Sequence, residues 1–141
     1  MTEIWKDVPG YEGCYQVSNT GNVRSLTRQI ELTRDGTHYK KTIAGRLLRP
    51  GRMTEGHLSV ALGRGNSHCV HKLVLLAFVG PRPEGLECRH LNGVPADNRL
   101  ENLRWGTRRE NILDAVSHGT WMTPERHNAL RKGRATRYGH E

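Results

Sequence analysis

Apolar residues in this chain come only in short runs, broken every few positions by Gly, Pro, Asn or a charged side chain, and this limits what it can build. The longest run is Val70 to Val79, and even that contains His71 and Lys72. It falls well short of the roughly 18 apolar residues that a membrane-crossing helix needs. Only 35% of the 141 residues are hydrophobic, one is Phe, and 16 are Gly. Several small cores under long loops are expected rather than one large core. The opening MTEIWKDVPG has neither a basic start nor an apolar segment, so no secretory signal is expected.

Charge narrows the class further. Lys and Arg number 22 against 14 Asp and Glu, a formal charge of +8 with His neutral. Such an excess concentrates a protein near polyanions, and nucleic acid is the first candidate. The charged fraction of 26% is ordinary and does not indicate wholesale disorder. Cys14, Cys69 and Cys88 are odd in number, widely spaced and without a CxxC pair. A disulfide framework or Cys-rich zinc site is therefore not expected, and the thiols fit a reducing, cytoplasmic setting.

Residues 1–50 read as a small β module. Tyr15-Gln16-Val17 and Val23-Arg24-Ser25-Leu26 flank Asn19-Thr20-Gly21-Asn22, a natural hairpin turn, with Trp5, Tyr11 and Tyr15 available to cover its apolar side. Thr27 to Lys41 is polar and Gly-punctuated, which predicts an exposed, mobile loop. In residues 51–85, Leu58-Ser59-Val60-Ala61-Leu62 is strand-like, as is the earlier Leu47-Leu48, and HKLVLLAF (71–78) predicts a short buried helix. Gly80-Pro81-Arg82-Pro83-Glu84-Gly85 then breaks regular structure. Residues 86–120 run strand (86–90), long loop (91–100), strand (103–105), helix. Thr107-Arg108-Arg109-Glu110 is a capping box, and Gly119 closes the helix. Residues 121–141 are a basic tail, where Thr123-Pro124 and Gly133 delimit a short helix.

The chemistry-bearing candidates are His90, Asn102 and Asn111. A neutral imidazole can take a proton from water at working pH. Asn102, at the far end of the loop, has donors and an acceptor with which to pin it. The amide oxygen of Asn111 is a hard ligand of the kind Mg²⁺ accepts. Asn111, Ala115 and His118 share a helical face, leaving Ile112, Leu113 and Val116 to point into the core. His71 reads as a packing residue, and His38, His57, His68, His127 and His140 show no clustered spacing.

The segment LECRHLNGVPADNRLENLRWGTRRENILDAVSHG (86–119) resembles the HNH nuclease module of phage and intron-borne homing endonucleases. VHKLVLLAF resembles the stretch leading into it, and WKDVPGYEGCYQVSNTGNVRSL (5–26) resembles the NUMOD4 motif found upstream in such proteins. The resemblance implies an α+β chain: a small N-terminal β module, then a ββα-metal domain, then a short basic helix or tail. It implies His90 as general base, Asn102 as the residue that braces the loop and orients His90, and Asn111 as a metal ligand, with His118 or Asp114 as further ligand candidates. The implied cofactor is one divalent cation, Mg²⁺ or Mn²⁺, with no small-molecule cofactor. The implied partner is double-stranded DNA, with no membrane and with a monomer favoured. Localisation would be cytoplasmic, in the host of a phage or mobile element.

One position departs from the pattern. Many members carry Asp, Asn or His directly before the catalytic His, as a metal ligand; here it is Arg89. A guanidinium cannot ligate a cation. Arg89 either clamps a phosphate beside a metal held elsewhere, or marks a catalytically weak or dead HNH-derived DNA-binding protein. The other candidate DNA contacts are Arg24, Arg28, Arg34, Lys40, Lys41, Arg104, Arg108 and Arg109.

Overall fold

The computed structural model describes residues 2–120. Among these, β1 (Trp5–Asp7), β2 (Tyr15–Ser18) and β3 (Val23–Ser25) form an antiparallel sheet in the order β1-β2-β3. The turn between β2 and β3 falls on the Asn-Thr-Gly-Asn stretch, with Gly21 at φ 90°. A long hairpin follows, β4 (Arg28–Arg34) and β5 (Thr37–Ile43). β6 (Gly51–Arg52), β7 (Leu58–Ala61) and β8 (Ser67–Cys69) form a second three-stranded sheet, which runs into α1 (Val70–Phe78). β9 (Glu87–His90) and β10 (Leu103–Gly106) pair antiparallel, with Leu103 opposite His90, and α2 (Arg108–Ser117) follows. The mixed strand-and-helix composition is the α+β class expected.

The region 27–41 differs from expectation, being the β4–β5 hairpin rather than a mobile loop. Ile30 and Leu32 alternate with polar residues, and Asp35-Gly36 adopts the two positive φ angles, 50° and 78°, that a tight hairpin turn needs. The twist-compatible turn and the ladder outweigh the low apolar content. Leu47 forms only an isolated bridge to Arg24, not a strand.

The core differs as well. Val17 and Val23 of the first sheet with Val8 just after β1, Val60 of the second with Leu62 just after β7, and Leu103 of β10 all converge on Val70, Leu73, Val74 and Leu75 of α1 in one cluster. Separate small cores are thus replaced by one shared core, because an apolar helix of about two and a half turns can serve several sheet faces at once. A backbone bond from Leu100 N to Asn19 O (2.8 Å) ties the first sheet to the segment before β10. α2 has no buried residue: Leu113 and Val116 are each 56% exposed, so they do not enter the core as expected. No helix among the described residues is long and apolar enough to cross a membrane. The expected tail helix lies outside the described residues.

Leu75 is fully buried in the core, so Leu75→Ala should cost roughly 2–5 kcal/mol in urea unfolding. Leu113→Ala, on the exposed side of α2, should stay within about 0.5 kcal/mol. Equal losses in the two variants would contradict this placement of the core.

Candidate active site

β9 supplies the site because its side chains alternate. Glu87 and Arg89 face α2. Glu87 Oε2 accepts from Asn111 Nδ2 at 3.0 Å, and that amide nitrogen also donates to the Cys88 carbonyl at 3.2 Å. The capping box is present: the Thr107 hydroxyl accepts from the Glu110 amide, and the Glu110 carboxylate accepts from the Thr107 amide. It starts the helix that presents Asn111. Among the described residues, the amide oxygen of Asn111 has no hydrogen-bond partner, and Glu87, Asn111 and His90 line one cavity of about 480 Å³.

Arg89 is engaged within the protein. Its Nε and Nη2 donate to the two carboxylate oxygens of Asp114 at 2.8 and 3.0 Å, and Nη1 donates to Glu110 at 2.7 Å. A bidentate guanidinium–carboxylate pair is geometrically demanding and strong for its class. It lowers the pKa of Asp114, whose largest cause is the Arg89 hydrogen bond. Arg89 therefore fastens α2 to β9 and is not positioned as a free phosphate clamp, while Asp114, spent on Arg89, is not a free ligand.

The loop between β9 and β10 is held by Asn102. Its Oδ1 accepts from the Asn92 amide at 2.9 Å, and its Nδ2 donates to Asn92 Oδ1 and the Asp97 carbonyl, both at 2.9 Å. Orientation of His90 falls to a different residue, Asn98, whose Oδ1 lies 3.0 Å from Nε2 of His90. A carbonyl oxygen needs a donor, so Nε2 carries the hydrogen and Nδ1 keeps its lone pair. Asn98 is buried at 3% exposure and eight residues from His90, and its bond depends on the closed loop. Only its Asn identity could have signalled it.

His118 also takes another role. Its Nε2 donates to the Leu91 carbonyl at 2.9 Å, and its ring lies against Gly93 (φ 74°), where an added Cβ would meet Cδ2 at 2.6 Å. It latches the end of α2 to the loop instead of reaching the cavity as a ligand.

Sequence spacing missed a histidine group. The His57, His71 and His90 rings lie together, with centroids 4.8 Å apart for His57–His71 and 5.1 Å for His71–His90. His71 is not a satisfied packing residue, since its buried Nδ1 has no hydrogen-bond partner. Burial, then the neighbouring His90, His57 and Lys72, push His71 down to about 3. Burial also lowers His90, against the opposing pull of its bond to Asn98.

The remaining basic candidates divide. Arg24 stacks over Trp5 at 4.0 Å and donates to Gln16. Arg28 lies over Tyr15 at 5.3 Å, and Arg104 donates to the Leu100 and Leu103 carbonyls. Arg34 and Lys40 are exposed beside Asp35 and Glu31 at 3.8 Å. Lys41, Arg108 and Arg109 are exposed.

Comparison with known proteins matches residues 3–63 to the NUMOD4 motif and residues 68–113 to the HNH endonuclease family. The chain belongs to the HNH endonuclease family. It is 36% identical over 120 residues to DNA endonuclease I-HmuI of Bacillus phage SP01, covering 82% of this chain and 59% of that protein. It is 34% identical over 125 residues to the uncharacterized HNH endonuclease L247 of Acanthamoeba polyphaga mimivirus, covering 83% of this chain and 27% of that protein. The solved structure described as DNA binding and cleavage by the HNH homing endonuclease I-HmuI superposes with a TM-score of 0.67 at 31% identity. That superposition covers 91% of this chain and 66% of the other. The chain thus spans under two thirds of the length of the relatives it matches.

His71 and His90 are held neutral in the fold and are free to protonate once unfolded. Stability is therefore present above the ordinary imidazole value of about 6.5 and is lost as pH falls from there toward about 3. The Tm should decline from about pH 6.5 to 4.5, above the range where most carboxylates titrate. His71→Gln should flatten that slope. Parallel slopes in wild type and variant would remove His71 as the cause.

Proposed function

We propose that the protein is a metal-dependent endonuclease that hydrolyses phosphodiester bonds in double-stranded DNA, with His90 activating the attacking water. The carrying observation is the His90–Asn98 bond inside the cavity lined by Glu87 and Asn111. With Nε2 committed, Nδ1 of His90 is the basic nitrogen, and burial keeps the ring neutral. A water meeting Nδ1 gives up a proton there as its oxygen attacks phosphorus. The P–O3′ bond breaks and the departing 3′ oxygen takes a proton from solvent water, leaving 5′-phosphate and 3′-hydroxyl ends.

A carboxylate and an amide oxygen, with room for waters and phosphate, fit a hard cation such as Mg²⁺ or Mn²⁺. Glu87 and Asn111 would hold it, in place of the ligand that Arg89 cannot supply. When bound, the ion would offset charge developing on the scissile phosphate and the leaving oxygen. Asn102 keeps the loop closed so that Asn98 stays on His90.

The formal charge of +8 supports a polyanionic partner. Exposed Arg108 and Arg109 stand one turn before Asn111, and Lys41 lies on the β5 hairpin. Arg24 and Arg28 hold their guanidiniums over the rings of Trp5 and Tyr15. A second reading, DNA binding without cleavage, draws on Arg89 in the family's ligand position.

Supercoiled plasmid incubated with Mg²⁺ or Mn²⁺ should become nicked or linear, and chelator should stop it. His90→Ala should lower cleavage by at least about a hundredfold while leaving DNA binding intact. Binding by both proteins with cleavage by neither, on DNA containing the site, favours the second reading. In binding titrations across salt, Arg108→Ala and Arg109→Ala should each reduce the slope of log K against log salt by about 1. Unchanged slopes would take both residues off the DNA.

A further inference from the structure

A second donor set of different chemistry adjoins the oxygen ligands. His57 directly precedes β7, His71 is the second residue of α1, and His90 ends β9. Three separate elements therefore bring these rings together. One nitrogen of each ring lies within 4.8 Å of one nitrogen of each of the others. The His57–His90 centroids are 5.4 Å apart, comparable to the other two pairs.

The hydrogen bonding of the group is incomplete in a telling way. Nδ1 of both His57 and His71 is buried without a partner. Buried polar atoms are almost always bonded, so two orphans beside a third lone pair call for an occupant. Of the carboxylates lining the same cavity, Asp114 gives both oxygens to Arg89, and Glu87 belongs with Asn111 to the oxygen set. Cys88 also lines the cavity, but burial pushes its thiol up to about 12, away from the thiolate a metal prefers. What remains is the three imidazoles.

We propose that His57, His71 and His90 form a site for one transition-metal ion of the Zn²⁺, Co²⁺ or Ni²⁺ class, and that its occupation blocks cleavage by taking the lone pair of His90. Imidazole nitrogen selects these ions, whereas Mg²⁺ keeps to oxygen and sheds water reluctantly. Nitrogens around a tetrahedral ion at Zn–N distances of about 2.1 Å lie about 3.4 Å apart, so closing the triad takes at most about 1.4 Å of movement. His57 is only half-buried, which gives its ring the freedom to swing. The blocking step rests on the reading of His90 as general base, because a coordinated nitrogen cannot accept a proton from water. Metal capture by the triad stands apart from that reading.

Co²⁺ titration of the purified chain, followed by its visible d–d absorption, tests capture without any reference to cleavage. Saturable binding of one Co²⁺ per chain is expected, unaffected by excess Mg²⁺ and displaced by Zn²⁺. His57→Gln and His71→Gln should each weaken it by more than about tenfold. His57 is the less buried of the two, so its variant keeps the test valid should His71→Gln fail to fold. Absence of saturable Co²⁺ binding, or binding that survives His57→Gln undiminished, overturns the site. Zn²⁺ added at one equivalent to the Mg²⁺-supported plasmid reaction should then suppress nicking in wild type. Loss of Co²⁺ binding in the variants with no nicking under any condition would retain the site and reject the nuclease. Mg²⁺-supported nicking without Co²⁺ binding would do the reverse, and Co²⁺ binding with nicking insensitive to Zn²⁺ would reject the block.

Discussion

The structure depends on the burial of one short helix. α1 is nine residues long and places Val70, Leu73, Val74 and Leu75 where the first sheet, the second sheet and β10 all meet. A chain poor in apolar residues gains most when each serves more than one face, since the favourable free energy follows the area removed from water. The same helix carries His71 out of this core to the rim of the cavity. Core and candidate site are therefore two sides of one element, and the NUMOD4 portion is packed into the HNH portion instead of being strung beside it.

Around this anchor, polar contacts of three kinds set the site's geometry. Asn102 closes the loop through one acceptor and two donor contacts. Arg89 spans from β9 to two carboxylates of α2, one turn apart. His118 ties the far end of α2 to the loop through Leu91. α2 buries no side chain completely, so these directional bonds, and not apolar packing, determine where Asn111 stands. Exposed ion pairs contribute little on their own, but a bidentate pair at 20% and 24% side-chain exposure is partly shielded from water. Arg89 thereby fixes the helix that carries Asn111.

The cavity separates its ligand chemistry by element. Oxygen donors come from β9 and α2, as Glu87 and Asn111, and nitrogen donors come from β9, α1 and the segment before β7. His90 stands at their junction, with Asn98 deciding which of its nitrogens is free. Burial lowers the proton affinity of His71 and His90 together, so both rings offer lone pairs at neutral pH.

What the sequence determined was local or carried by motif. The capping box at Thr107–Glu110, the β2–β3 turn and the apolar run of α1 are all readable because each depends on residues within one turn or one hairpin. The β4–β5 hairpin was also readable in principle, through Asp35-Gly36 and the Ile30/Leu32 alternation, but its polar composition masked the period. Resemblance pointed to His90, Asn102 and Asn111. Only the tertiary structure decided that Asn98 orients His90, that Arg89 and Asp114 are paired, and that His118 faces a carbonyl. The histidine triad is the plainest case, because positions 57, 71 and 90 share no period and meet only where β7, α1 and β9 pack. Short-range torsional preferences are written in neighbouring residues, whereas the approach of distant side chains is set by how a shared core is filled.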